Sequence, residues 1–204
     1  MSEHYFAADP TSQLTRVPVT AQVWGHRIDL VSASGVFSTG RLDLGTAVLF
    51  RSTEPPQTGT TYLDLGCGYG VVACALAKAR PEATVWAVDV NERALQLTRE
   101  NARRTGVTDR VRVGTPDSVP DDVVFDQIWS NPPIRVGKPA LHALLQQWLS
   151  RLAAGGSEGS GGVAHLVVGK NLGADSLQRW LREQGYEAER LASAKGFRVL
   201  RVRR

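Results

Sequence analysis

The chain has 204 residues, of which 42% are hydrophobic and 22% charged, enough for one substantial core and too little for two ordinary domains. Twenty-four Lys and Arg against 20 Asp and Glu leave a formal charge of +4, an excess that permits an anionic partner without identifying one. The longest apolar runs, such as Val71 to Ala77, fall far short of the roughly 20 residues that a membrane span requires. Met1 to Pro10 carries Glu3 and Asp9 and no apolar stretch of the kind a secretory signal needs, so the expected location is cytoplasmic, with no membrane association. Cys67 and Cys74 form no CxxC pair, which excludes a disulfide framework and a zinc site and leaves no metal expected.

In chain order, alternation around Thr20, broken at Gly25-His26 and resumed over Arg27 to Val31, predicts a short amino-terminal β-hairpin. The polar, proline-bearing stretch Arg51 to Thr60 closes this first part. Apolar runs then recur at Tyr62–Leu65, Thr84–Val88, Val111–Val113, Phe125–Trp129 and Val163–Val168. Between them lie helical patterns over Gly70–Ala79, Glu92–Arg104 with Asn91 as N-cap, Pro139–Leu152 and Ala174–Gln184. Glu187–Leu191 and Phe197–Val202 follow without an intervening helix and predict a terminal antiparallel hairpin. The alternation predicts an α/β fold: a seven-stranded, mostly parallel sheet with helices on both faces. Residues 1–58 form its hairpin extension and 59–204 its core, within one domain. Gly155 to Gly162 is Gly/Ser-rich and reads as a loop.

The first strand runs into Asp64-Leu-Gly66-Cys-Gly68-Tyr-Gly70 and then directly into a helix. Glycines there allow a tight turn and let a ligand approach backbone N–H groups at a helix start. Asp89 ends the second strand, where a carboxylate can accept hydrogen bonds from ribose hydroxyls, so an adenosine moiety is implied. A dinucleotide GxGxxG frame starting at Gly66 meets Val71 where glycine is required, and a frame starting at Gly68 ends at Ala73. Asp64 would repel a pyrophosphate but suits the ammonium group of S-adenosylmethionine.

After the fourth strand comes Asn131-Pro132-Pro133-Ile134, at the strand end where open α/β sheets bind ligands. An exocyclic amine is a poor nucleophile because its lone pair is delocalised into the attached π-system. The Asn131 side-chain oxygen and a backbone carbonyl, that of Pro132, can each accept one N–H and direct the lone pair, while the two prolines preset the backbone. Alone, the tripeptide only stops a strand; in register with Asp64, the glycines and Asp89 it reads as catalytic.

With these residues the sequence resembles the class I S-adenosylmethionine-dependent methyltransferases that act on exocyclic amines, and within them the small-domain group containing the 16S rRNA guanine-N2 methyltransferases. The resemblance extends to His4-Tyr-Phe6, Ser34-Gly-Val-Phe-Ser38, Leu42-Asp-Leu-Gly-Thr46, Ile134-Arg-Val-Gly-Lys138 and Lys195-Gly-Phe-Arg-Val-Leu200, nearly the whole chain. It implies a Rossmann-like fold whose amino-terminal part closes over the methyl donor, with Phe37 near it and Gly45 and Thr46 near its amino-acid end. It further implies that Asp64, Gly66, Gly68 and Gly70 hold the methionine end, Asp89 and Val90 the ribose and adenine, and Asp117 the adenine amino group. Asn131, with Pro132 and Pro133, would hold the target amine and touch the donor. The familiar enterobacterial members carry a further amino-terminal domain for which this chain has no room, and Ile134 stands where many amine methyltransferases have a stacking aromatic, a role that falls to Phe37 or Phe197.

The implied partner is rRNA or the small ribosomal subunit, engaged through phosphates with the target base extruded. Ile134, Arg135, Lys138, Phe197 and Arg198 are the expected substrate contacts. Other targets fit the same tripeptide: a tRNA guanine, an adenine N6 or a protein glutamine. An NAD-dependent oxidoreductase would leave Asn131-Pro-Pro unexplained, and a non-catalytic RNA-binding module would not need the donor residues.

Overall fold

The computed structural model describes residues 15–36, 40–132, 137–155 and 161–204. His4-Tyr-Phe6, Phe37, Pro133, Ile134 and Arg135 lie outside the described residues. The chain opens with an antiparallel hairpin, β1 (Arg16–Val23) and β2 (His26–Ala33), paired from Arg16↔Ala33 to Val23↔His26. The tight turn sits on Trp24 and Gly25, at φ 48° and 80°, one residue earlier than the sequence predicts. Trp24 takes this uncommon conformation because its indole packs edge-on against Phe50 and Trp129 and donates to the Thr53 carbonyl.

A short helix then follows that the sequence reading does not include: α1, Leu44–Arg51. With 8 residues it is too short to be stable by itself or to show a full amphipathic period, and tertiary packing holds it. Asp43 caps it, accepting from the Thr46 N–H at 2.9 Å, and Val48, Leu49 and Phe50 are buried.

The main sheet comprises β3 (Thr61–Leu65), β4 (Thr84–Val88), β5 (Val111–Gly114), β6 (Gln127–Ser130), β7 (Val163–Gly169), β8 (Glu187–Ala194) and β9 (Phe197–Arg203). Its order is β5-β4-β3-β6-β7-β9-β8, parallel from β5 to β7, with β9 antiparallel to both β7 and β8. The seven strands, the mostly parallel pairing and the closing hairpin agree with the sequence reading, although β6 starts two residues later and Phe125 makes only an isolated bridge to Leu152. Helices α2 (Val71–Ala79) and α3 (Glu92–Arg104) join α1 and the amino-terminal hairpin over one face; α4 (Lys138–Leu149) and α5 (Ala174–Glu183) cover the other. Trp148 is buried on this second face with Leu141, Leu145 and Leu149, as its helical spacing predicts.

Strand order reverses between β3 and β6, so their carboxyl ends lie side by side, Leu65 opposite Ser130. The Ser130 hydroxyl donates to the Leu65 carbonyl at 2.7 Å and fastens the two ends together. The hairpin is held by fully buried Asn101 of α3, whose amide accepts from Val31 N–H and donates to the carbonyls of Val31 and Tyr69. One side chain therefore joins the hairpin, α3 and the glycine-rich turn.

Candidate active site

The turn after β3 crosses the end of β4, with the N–H groups of Gly66 and Cys67 both donating to the Val88 carbonyl. Gly66, Gly68 and Gly70 have φ of 74°, 56° and 82°, a conformation that side chains other than glycine adopt at a cost. The three glycines are not equivalent. A Cβ on Gly70 would come within 2.7 Å of Thr98 Cγ2, whereas one on Gly68 would meet nothing within 4 Å. Gly70 serves packing against α3, whereas Gly68 leaves open space beyond its Cα, its N–H donating to Asp89 and its carbonyl accepting from the Thr98 hydroxyl.

Two carboxylates border that open side. Asp64 is 2% exposed and accepts from the Ala73 N–H at 2.9 Å, at the start of α2. Burial is the main cause that pushes its carboxyl up to about 7, with Asp89 raising it further and the Ala73 hydrogen bond opposing. Among the described residues no cation pairs with Asp64, so a bound ammonium group would supply the missing counter-charge. Asp89 accepts from the N–H groups of Gly68 and Asn91, each at 2.9 Å, and burial raises its carboxyl too. Each Asp89 oxygen retains a lone pair for a hydroxyl donor. The chemistry of this cradle, two acids beside a glycine turn with open space at Gly68, fits the cationic amino-acid end and ribose of S-adenosylmethionine.

At the neighbouring strand end, Asn131 directly follows β6. Its Nδ2 donates to Asp43 Oδ2 at 2.7 Å and to Thr46 Oγ1 at 3.1 Å. Nδ2 is thus committed to the start of α1, and among the described residues Oδ1 has no partner. Pro132 is buried. Asp43 is the residue the sequence reading passed over: it stands in Leu42-Asp-Leu-Gly-Thr46, and its signal was an acid directly before an apolar run, the mark of a helix N-cap.

Gly45 and Thr46 meet Asn131 and β9 instead of open space. Phe197 Cε1 lies 2.9 Å from where a Gly45 Cβ would be, so glycine is needed for close packing there, and this contact sets Phe197 beside the start of α1. Val90 is 51% exposed at the end of β4, and Asp117 lies exposed on a single 3-10 turn, Pro116–Ser118, after β5. Lys138 is exposed at the start of α4.

Arg198 corrects the sequence reading. It is 8% exposed and ion-paired with Asp175 of α5, not available at the surface as a substrate contact. The reason is strand alternation: Phe197 packs with the hairpin and α1, so Arg198 must point through the opposite face toward α5. His165 lies tilted against Trp129, ring centroids 4.3 Å apart, and burial is the main cause that pushes it down to about 4. A surface cavity of about 290 Å³ between Arg182, Glu187 and Arg201 lies on β8 and β9, away from these strand ends. No helix among the described residues is long and apolar enough to cross a membrane.

A sequence model described as methyltransferase small domain matches residues 27–201. The chain is 34% identical to YbxB, an uncharacterized protein of Bacillus subtilis (strain 168), over the whole length of both. It is 33% identical to ribosomal RNA small subunit methyltransferase C of Ectopseudomonas mendocina (strain ymp), over 94% of this chain and 59% of that one. Among solved structures, the T. thermophilus 16S rRNA N2 methyltransferase RsmC, in complex with AdoMet and guanosine, superposes with a TM-score of 0.79 at 24% identity, over 96% of this chain and 52% of that one. The chain spans somewhat more than half the length of these last two proteins, and the structural likeness speaks for the shared fold.

Proposed function

The chain belongs to the methyltransferase small-domain family, and from that premise we propose that it methylates an exocyclic amine, the guanine N2 of small-subunit rRNA, in the cytoplasm, with S-adenosylmethionine as donor. The observation that carries this reading is the placement of Asn131 beside the glycine-rich turn by the parallel pairing of β3 and β6, with its amide oxygen free. S-adenosylmethionine, when bound, supplies a sulfonium-activated methyl group. Asp64, with Gly66, Gly68 and Gly70, holds its amino-acid end, with Gly45 and Thr46 near that end; Asp89 and Val90 hold the ribose and adenine, Asp117 meets the adenine amino group, and Phe37 is assigned to the methyl donor. Asn131 Oδ1 and the Pro132 carbonyl accept the two N–H bonds of the target amine, and Pro133 stiffens the loop. The chain contributes orientation, charge and exclusion of water; it needs no covalent nucleophile.

An RNA target, in preference to a protein glutamine, is supported by the charges around Asn131. Three of the four lysines of the chain, Lys138, Lys170 and Lys195, are exposed at this end of the sheet. Lys138 Cε lies 3.8 Å from where a Gly173 Cβ would be, and the Lys170 N–H donates to the Gly196 carbonyl at 2.7 Å. These links bring the start of α4, the end of β7 and the β8–β9 turn into one rim. Across the site the donor cradle carries Asp64 and Asp89, and the nearby Glu92 is paired with Arg99. Ile134 and Arg135, next to Asn131 in sequence, and Phe197 join Lys138 as substrate contacts.

The test is transfer of labelled methyl from S-adenosylmethionine to rRNA and ribosomal subunits from a strain lacking the protein, followed by nucleoside analysis. N2-methylguanosine in small-subunit RNA is the expected product. Label on adenine, on tRNA or on protein glutamine would keep the methyltransferase and overturn this choice of target.

A further inference from the structure

We propose that Asp43 is a positioning residue that sets which end of the Asn131 amide faces the target amine; the inference rests on the amine-transfer reading above and deepens it. A primary amide has nearly the same shape with its oxygen and nitrogen exchanged, so packing alone does not choose between the two orientations. The choice decides function. With the oxygen outward, Asn131 accepts an amine N–H; with the nitrogen outward, it presents a donor to a donor and holds nothing.

In this chain the choice is made by α1. Asp43 Oδ2 accepts from Asn131 Nδ2 at 2.7 Å, from the Thr46 N–H at 2.9 Å and, more weakly, from the Thr46 hydroxyl at 3.4 Å. Thr46 Oγ1 accepts the second Asn131 N–H at 3.1 Å. An exchanged amide would set its carbonyl oxygen against a carboxylate oxygen, an unpaired and repulsive contact in a partly buried place. The N-cap bond in turn locates the carboxylate, because the Thr46 N–H is an otherwise unsatisfied donor of the first helical turn. The start of α1 itself is placed by the contact of Gly45 with Phe197 on β9. Residues 88 positions apart therefore act as one unit, and α1 works as the jig that presents Asn131.

Two variants separate this role from simple helix capping. D43S keeps a good N-cap residue, but its shorter side chain does not reach Asn131; D43N keeps an oxygen that the Thr46 N–H holds toward Asn131, and loses only the charge. The first readout needs no substrate: the side-chain amide resonances of Asn131 in a 15N-labelled protein, identified by their disappearance in N131A. They are expected to shift and to exchange faster in D43S and to stay near their wild-type positions in D43N. Unchanged resonances in D43S would overturn the proposal. The second readout is transfer itself. In D43S kcat is expected to fall about 100-fold, the cost of misplacing a positioned group by about an ångström, with the donor Kd and the KM for RNA unchanged, and D43N is expected to restore most of the loss. A D43N as slow as D43S would overturn positioning in favour of charge. If the amide coupling is present but the wild-type protein methylates no RNA, nucleoside or glutamine peptide, the amine-transfer reading fails, and the role assigned to Asp43 falls with it.

Discussion

Around Gly68 and around Asn131 the chain meets the same demand, a polar group held at the carboxyl end of a parallel strand, and meets it in opposite ways. The donor half is local: Asp64, three glycines and Asp89 lie within 26 consecutive positions, and backbone hydrogen bonds from Gly68, Ala73 and Asn91 hold both acids. The acceptor half is assembled from a distance: Asp43 at the cap of α1, Thr46 within it, Asn131 after β6 and Phe197 on β9 meet through side chains. The difference teaches that the donor half tolerates little change in backbone, whereas the acceptor half tolerates little change in side-chain chemistry.

The largest expected effect probes the acceptor half. Asn131→Ala should lower the transfer rate by roughly 100- to 1,000-fold, as loss of one preorganised polar contact does, and leave calorimetric binding of S-adenosylmethionine intact. A joint loss of binding and rate would erase the distinction between the halves. Next comes the backbone of the donor half. Gly70→Ala forces a left-handed conformation and a 2.7 Å approach to Thr98, and should destabilise the protein by about 2–4 kcal/mol in urea unfolding. Gly68→Ala, where the added Cβ meets nothing within 4 Å, should weaken donor binding far more than its smaller strain weakens stability.

A third, intermediate effect is a pH dependence confined to the donor half. Burial holds the Asp64 carboxyl up to about 7, above the ordinary value of about 3.9 in the unfolded chain. Between those values the folded protein keeps a proton that the unfolded chain has shed. Stability from this group is therefore complete below pH about 4 and lost as pH rises to about 7. The ligand-free protein should melt a few degrees lower at pH 8 than at pH 5 on this account, and Asp64→Asn should flatten the change. A cationic donor favours the carboxylate, so its affinity should rise through pH 7 with release of a proton, visible as buffer-dependent binding enthalpy. The smallest effect concerns the lysine rim. Lys170→Ala and Lys195→Ala should each reduce the log–log salt dependence of RNA binding by about one, while donor binding stays as it was; an unchanged slope would place the RNA elsewhere.

Much of the donor half was legible because its pieces are adjacent in sequence and each has a local physical signature, a glycine at positive φ or an acid at a strand end. The seven strands were legible for the same reason, as short apolar runs between helical patterns. Of the acceptor half, Asn131 and Phe197 were legible, and the residues that orient Asn131 were not. That Thr46 meets Asn131 depends on where α1 lies, and that Arg198 is buried against α5 depends on which face β9 turns inward. Asp43 went unassigned because α1, with 8 residues, has no period of its own to announce it.

By itself, then, the amino-acid sequence determined the α/β alternation, the glycine-rich turn with its two acids and the position of Asn-Pro-Pro in the chain, since all of these follow from nearest-neighbour preferences and hydrophobic spacing. Only the tertiary structure decided which end of the Asn131 amide is free, why Gly45 must be glycine and which face Arg198 takes. Those are contacts between segments far apart in the chain, and side-chain direction at such contacts is set by how the layers pack.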